Sequence, residues 1–328
     1  MSPVGRTDLP AEQREALKKA ITWEWITIAY TVGTITLVAF VVGNSQAMKT
    51  AWIEDMLSLI PQIAFLIALL FIRRDPSPSH PFGFHRAMVI GHLVAGVALF
   101  AVGGNLALES VTGLEAAAHP TIGTVNLFGY TIWQGWLMVA VMALIVPGPF
   151  IYGRAKLRIA PTLHSKLLYA DADMAKADWH TNAASIIGVL GIGVGLWWLD
   201  GVAALFISLG IVLDGFRNTR AAVRDLVDES ARTFDSGQTH PLFAQILATM
   251  RRQPWVRDAG VRMRDLGHVF HAEVFFVPSG RRPVGTDVLR TAAEQIAQLD
   301  WKLQDVVVIP VDRIPDEAMT EREISAAD

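Results

Sequence analysis

The chain has 328 residues, 52% of them hydrophobic and 18% charged, with a mean hydropathy of +0.36. Charged residues make up about a quarter of an ordinary soluble domain, so this composition excludes one. The formal net charge of −3 favours no class of partner, and the absence of cysteine excludes disulfides and thiolate metal sites.

Residues 1–21 are charged, lack a cleavable leader pattern and read as a cytoplasmic lead with Arg14, Lys18 and Lys19. Six segments then reach or approach the roughly 20 residues needed to cross about 30 Å of hydrocarbon. They are 23–42, 47–72, 88–108, 131–151, 172–198 and 202–216, the last short but able to continue as helix to 227. Turn formers or charges separate them at Gly43-Asn44-Ser45, Arg73-Arg74-Asp75-Pro76, His119-Pro120, Gly153-Arg154 and Asp200-Gly201. Lys and Arg alternate from side to side. Arg6, Arg14, Lys18 and Lys19 precede the first span, Arg73, Arg74 and Arg86 follow the second, Arg154, Lys156, Arg158 and Lys166 follow the fourth, and Arg217, Arg220 and Arg224 follow the sixth. The connections on the other side hold only Lys49. This bias places both termini in the cytoplasm of a multi-pass protein of the inner or plasma membrane.

Beyond residue 216 the chain becomes soluble in character. Residues 240–253 read as an amphipathic helix with Leu242, Ile246, Leu247 and Met250 on one face. Residues 261–266 and 269–277 read as strands joined at Gly267-His268, 286–298 as a helix and 306–311 as a strand. This α-β-β-α-β order predicts a small ferredoxin-like α+β domain, an open sheet with helices on one face. The expected organisation is a lead at 1–21, a six-helix transmembrane domain at 22–216, a linker at 217–239, a cytoplasmic domain at 240–314 and a frayed tail at 315–328.

Costly polar groups lie inside the apolar segments. In the fifth, Asp178, Asn182 and Ser185 share one helical face, with Asp171 two turns earlier. Such a face in a membrane needs a partner, and a cation is the simplest one. In the second span Glu54 and Asp55 enter from the outside. At ~1.5 Å per residue Asp55 and Asp178 each lie about 12 Å deep, so they can meet near the midplane. The competing reading puts Glu54 and Asp55 at the outer interface and lets Lys176 neutralise Asp173 or Asp178. Lys176, however, lies roughly 200° around the helix from Asp178.

The chain resembles the cation diffusion facilitators, antiporters of divalent metal ions. The resemblance rests on six spans followed by an αββαβ domain, and on the acidic pair of the second span. It rests also on Ser79-His80-Pro81-Phe82-Gly83-Phe84-His85-Arg86-Ala87, which is close to the family's His-Pro-Tyr-Gly-His-Gly-Arg-Ala-Glu, on Asp178 and Asn182, and on Asp225-Leu226-Val227-Asp228. The family's transport site has two acidic residues one turn apart on the second helix and His-x-x-x-Asp on the fifth. Here Met174 stands at the His position. An ungapped count from Gly83 sets the acidic pair on Glu54 and Ser58, and a shift by one sets it on Asp55 and Leu59. The implied site is oxygen-rich: Asp178 with Glu54 or Asp55 or both, and Ser58 and Asn182 as further donors. Met174 is either a thioether ligand or packing. Oxygen ligands favour Mn²⁺, Fe²⁺ or Co²⁺ over Zn²⁺. His180 points roughly 200° from Asp178, toward another helix.

His80 and the displaced His85 are candidates for a secondary loop site, Phe84 standing where relatives have the second His, with a plain surface role as the competing reading. Arg86 and Asp228 match the charge pair that, in the resemblance, holds the membrane part to the cytoplasmic domain. His268, His271 and Asp312 are the metal-like groups of that domain, whose implied role is homodimerisation. The mechanism implied is alternating access, with protons exchanged for the ion at the carboxylates. The ion is cargo, and no cofactor is expected. A non-transporting relative with a regulatory or dimer-partner role is the alternative. No nucleophile–base pair, cofactor loop or zinc-protease motif marks an enzyme, no basic–aromatic pattern marks a nucleic-acid binder, and the glycines of 188–195 read as a helix-packing surface.

Overall fold

The computed structural model describes residues 9–127, 129–280 and 284–321. The expected lead and tail therefore fall partly outside the described residues, as does the side chain of Lys176. The first part of the chain is a helical bundle: α1 (Ala11–Ala39), α2 (Gln46–Ile72), α3 (Ala87–Glu115), α4 (Gln134–Ile145), α5 (Pro147–Leu163), α6 (Lys166–Gly193) and α7 (Trp198–Leu226). Among the described residues four stretches are long and apolar enough to cross a membrane: α2, α3, α4 with α5 as one broken helix, and α7. Leu70, Val94, Leu108, Leu144, Phe206 and Leu213 turn more than half of their surface outward, while Gln62, Asn182, Ser185 and Ser208 are buried. That inversion of a soluble protein's pattern suits a lipid surround. α1 and α6 are not apolar enough to count among the four. On α1 the buried face is polar, Glu24, Thr27, Thr31 and Thr34, and both helices turn their polar faces into the bundle.

The fourth segment departs from expectation. Residues Tyr130–Trp133 form strand β2, paired antiparallel with β1 (Thr124–Leu127), so the helix begins only at Gln134. β-Branched and aromatic residues favour the extended form there, and Gly129 makes the turn at φ +88°. The expected break at Gly153-Arg154 lies inside α5. The helix breaks instead at Pro147, which has no N–H to offer the preceding turn, and it ends at His164 in the left-handed conformation. Asp200-Gly201 is likewise inside α7, not a loop, and Gly195 at φ +87° turns the chain before it.

Small residues set the closest approach in the bundle. A Cβ on Gly215 would lie 2.3 Å from the Phe100 backbone, and on Gly96 2.6 Å from that of Thr219, so α3 and α7 touch backbone to backbone. Asp200 fixes the start of α2. It is fully buried and accepts hydrogen bonds from Ser45 Oγ (2.5 Å) and from the N–H groups of Gln46 (2.6 Å) and Ala47 (3.3 Å). The N-terminal N–H groups of a helix otherwise lack partners.

The second part contains α8 (Leu242–Arg251), β3 (Val256–Asp265), β4 (Phe270–Pro278), α9 (Thr286–Ala297) and β5 (Leu303–Pro310). The sheet order is β3-β4-β5, the first pair antiparallel and the second parallel. Alternate residues, among them Val261, Met263, Val274 and Phe276, face Phe243, Ile246 and Ile296 of the two helices. The opposite face carries Arg262, Glu273 and His271. Residues 315–321 are not frayed: Met319 pairs with Val261 through backbone bonds of 2.9 and 3.0 Å, and Ala318 is buried.

Charges and histidines join the two parts. Lys166 reaches Asp225 (2.5 Å) and Asp265 (3.4 Å). The buried Lys302 donates to the carbonyls of His164 (3.3 Å) and Gly267 (3.5 Å). Arg86 pairs with Asp228, which also takes Arg264 at 2.8 Å. Beside them the His85 and His268 rings stack at 5.9 Å. Burial, with Lys302 adding to it, pushes His85 down to about 4 and His268 to about 3. Burial works to raise Asp265, but Lys302 and Lys166 outweigh it and hold the carboxyl at about 2.

Both histidines are neutral when folded and titrate near 6.5 when unfolded. Their stabilising effect is complete above that value and is lost as pH falls toward their folded values. At pH about 5 each costs about 2 kcal/mol. Asp265 loses its contribution only below the ordinary aspartate value of 3.8, and His271, raised by its bond to Asp305, acts in the opposite sense. Melting in detergent should therefore drop between pH ~7.5 and ~5, and His268→Phe should flatten that drop. An unchanged slope would contradict this account.

Candidate cation pocket

Glu54 and Asp55 on α2 face Asp178 on α6 within the bundle. Asp178 interacts electrostatically with Asp55, Asp171 and Asp214, and Glu54 with Asp178, Asp55 and Asp214. The Tyr152 hydroxyl of α5 is a hydrogen-bond partner of Asp178, and Thr181 of Glu54. Glu54 Oε2 is buried with no partner. An orphaned carboxylate oxygen in an apolar bundle is expensive, and an ion would relieve it.

Ser58 and Asn182 are turned to their own helices. Ser58 Oγ donates to the Asp55 carbonyl (2.8 Å), and Asn182 Nδ2 to the Asp178 carbonyl (2.9 Å). Each keeps acceptor capacity on its oxygen. Among the described residues no three His, Asp or Glu side chains converge tightly enough to hold an ion. The pocket is thus an acidic constellation across α2 and α6, looser than a closed coordination sphere. Met174 lines a cavity of about 360 Å³ with Asp173, Asp214, Asn218 and His92, which reaches Phe234 and Asp235 at the junction with the second part.

The loop histidines are kept apart. His80 is exposed, stacks on Phe84 at 4.4 Å and meets Ser79 Oγ at 3.1 Å. His85 turns inward, and neither of its ring nitrogens has a partner. The His180 ring lies 3.7 Å from that of its neighbour Trp179. His271 bonds Asp305 in the sheet.

Sequence reasoning missed two groups. Asp214, the one acidic residue of 202–216, joins the constellation from α7. Lys156, read as a loop charge, is fully buried, with Nζ 2.9 Å from Glu24 Oε2 and 2.5 Å from Asp171 Oδ2. The signal was present in Glu24, the sole acidic residue between positions 16 and 53, since such a group in a helical bundle needs a cationic partner.

The chain matches the family model described as the cation efflux transmembrane domain over residues 24–227, more than half of its length. It is 27% identical over 265 residues to the uncharacterized transporter YdbO of Bacillus subtilis, covering 80% of this chain and 85% of that one. It is 25% identical over 266 residues to the manganese efflux system protein MneS of the same organism, with the same two coverages of 80% and 85%. To the manganese efflux system protein MneP it is 24% identical, over 58% of this chain and 62% of that one.

Removing one partner from a buried ion cluster costs about 3–5 kcal/mol. Lys156→Met should lower the melting temperature of the detergent-solubilised protein by several degrees, and adding Glu24→Gln and Asp171→Asn should restore most of it. Lys156→Met as stable as the wild type would show that the cluster holds nothing together.

Proposed function

Because the chain belongs to the cation diffusion facilitator family, we propose that it exports a divalent metal ion in exchange for protons, with Mn²⁺ the first candidate. The observation that carries this reading is the meeting of Glu54 and Asp55 with Asp178, and the partnerless oxygen of Glu54 among them. Carboxylate, hydroxyl and amide oxygens suit a harder ion, and Met174 stands where the family carries its imidazole. Two relatives are manganese efflux system proteins, which points the same way.

In this proposal α1 and α6 complete six spans, both termini are cytoplasmic, the membrane domain covers 22–216 and the cytoplasmic domain 240–314. The cytoplasmic domain pairs two chains as a homodimer. The ion enters through the cavity that Asp214 and Met174 line and is held by Asp178, Glu54 and Asp55. Oxygens of Ser58 and Asn182 complete the shell as α2 and α6 draw together. The bundle then opens outward, and protons on the carboxylates release the ion.

Inside-out vesicles containing the wild type should take up Mn²⁺ when offered Mn²⁺, Fe²⁺, Co²⁺ and Zn²⁺. Asp178→Ala should cut that uptake by more than about tenfold. Wild-type uptake that survives Asp178→Ala would refute the pocket. No uptake of any ion by folded, dimeric protein would favour a regulatory relative instead.

A further inference from the structure

Glu24, Lys156 and Asp171 form a cluster of their own, contributed by α1, α5 and α6. Their side chains are 1%, 0% and 6% exposed. With both carboxylates ionised the cluster carries a net charge of −1 in an apolar surround. One proton makes it neutral. The geometry says where that proton sits. Lys156 lies closer to Asp171 (2.5 Å) than to Glu24 (2.9 Å), and Glu24 Oε1 is buried with no partner. A partnerless oxygen burdens an anion far more than a neutral acid.

The cluster is in contact with the cation pocket without being part of it. Lys156 Nζ lies 5.6 Å from the ring of Tyr152, whose hydroxyl is bonded to Asp178. Asp171 and Asp178 interact along α6. The titratable groups facing Glu24 are Lys156, with Tyr152 beyond it, from α5 and Asp171 from α6. α4 has none, and Asp55 of α2 acts on Tyr30, farther along α1.

We infer that Glu24 is a proton-binding site of the bundle, separate from the cation pocket. It is occupied when no cation is bound and vacated when a divalent ion reaches Asp178. The ion's two charges replace the proton's one, and the released proton passes to water on the side then open. This inference rests on the transport reading for its coupling step but not for the resting protonation of Glu24.

Two measurements test it on the full-length protein. In infrared difference spectra, cation-free wild type should show the C=O stretch of a protonated carboxyl that disappears when Mn²⁺ is added. Glu24→Gln should lack that band, and Glu24→Asp should retain it, shifted. Gln mimics the neutral acid, so Glu24→Gln should melt no lower than the wild type. The Asp variant keeps the test open if Glu24→Gln fails to fold. In proteoliposomes with an internal pH dye, Glu24→Gln should still move Mn²⁺ but exchange about one proton fewer per ion. A band identical to wild type in Glu24→Gln, or an unchanged proton count, overturns the inference. Wild type that ignores Mn²⁺ yet loses the resting band in Glu24→Gln overturns the transport reading and leaves the protonated Glu24 standing.

Discussion

The cost of keeping carboxylates away from water governs this molecule. Glu24, Asp171 and Asp200 are buried in the helical bundle, and Glu54, Asp55, Asp178 and Asp214 lie inside it half-shielded. An isolated carboxylate there would cost several kcal/mol. The structure answers that cost in three ways. Lys156 neutralises one group of acids, helix-end N–H groups satisfy Asp200, and among the described residues no cationic side chain pairs with Glu54, Asp55 or Asp178. The third group is the one that has room for a visiting cation.

The junction with the second part obeys a related rule. Lys166 and Lys302 are buried on the acidic cluster of Asp225 and Asp265, while four histidines beside them, His85, His164, His240 and His268, are kept neutral by burial. A shift of the loop before α3 or of the end of α7 therefore reaches the small sheet directly. Arg86 and Asp228 are only the exposed rim of that contact.

Much of this was legible in the chain. The apolar runs, the two-residue alternation of the strands and the Gly267-His268 turn each report local physics, and the α-β-β-α-β order followed. Asp178 and the α2 acids stood out because an acid in an apolar run is rare. What escaped was set by packing between distant segments. Lys156 looks like a loop charge until α1 and α6 close on it. The carboxylate of Asp200 reads as a turn former until α2 begins beneath it. Tyr130–Trp133 is apolar enough for a span, yet pairs as a strand because Thr124–Leu127 lies opposite. Asn182 and Ser58 were read as donors to a shared ion, and nothing local could reveal that each first serves the carbonyl one turn before it.

The cap that Asp200 places on α2 also has a mechanical side. It pins one end of a helix of 27 residues, while Asp55 stands about 14 Å along it and Ile72 about 39 Å. α2 is a lever whose fulcrum is the carboxylate of another helix. A tilt that moves Asp55 by ~1 Å moves the far end, beside the loop that touches the small sheet, by nearly ~3 Å. Pro61, between the two points, frees one carbonyl and gives the rod an elbow. The arm on the pocket side is short and stiff, and the arm toward the sheet is long, so small displacements of the acids are read out magnified at the other end of the molecule.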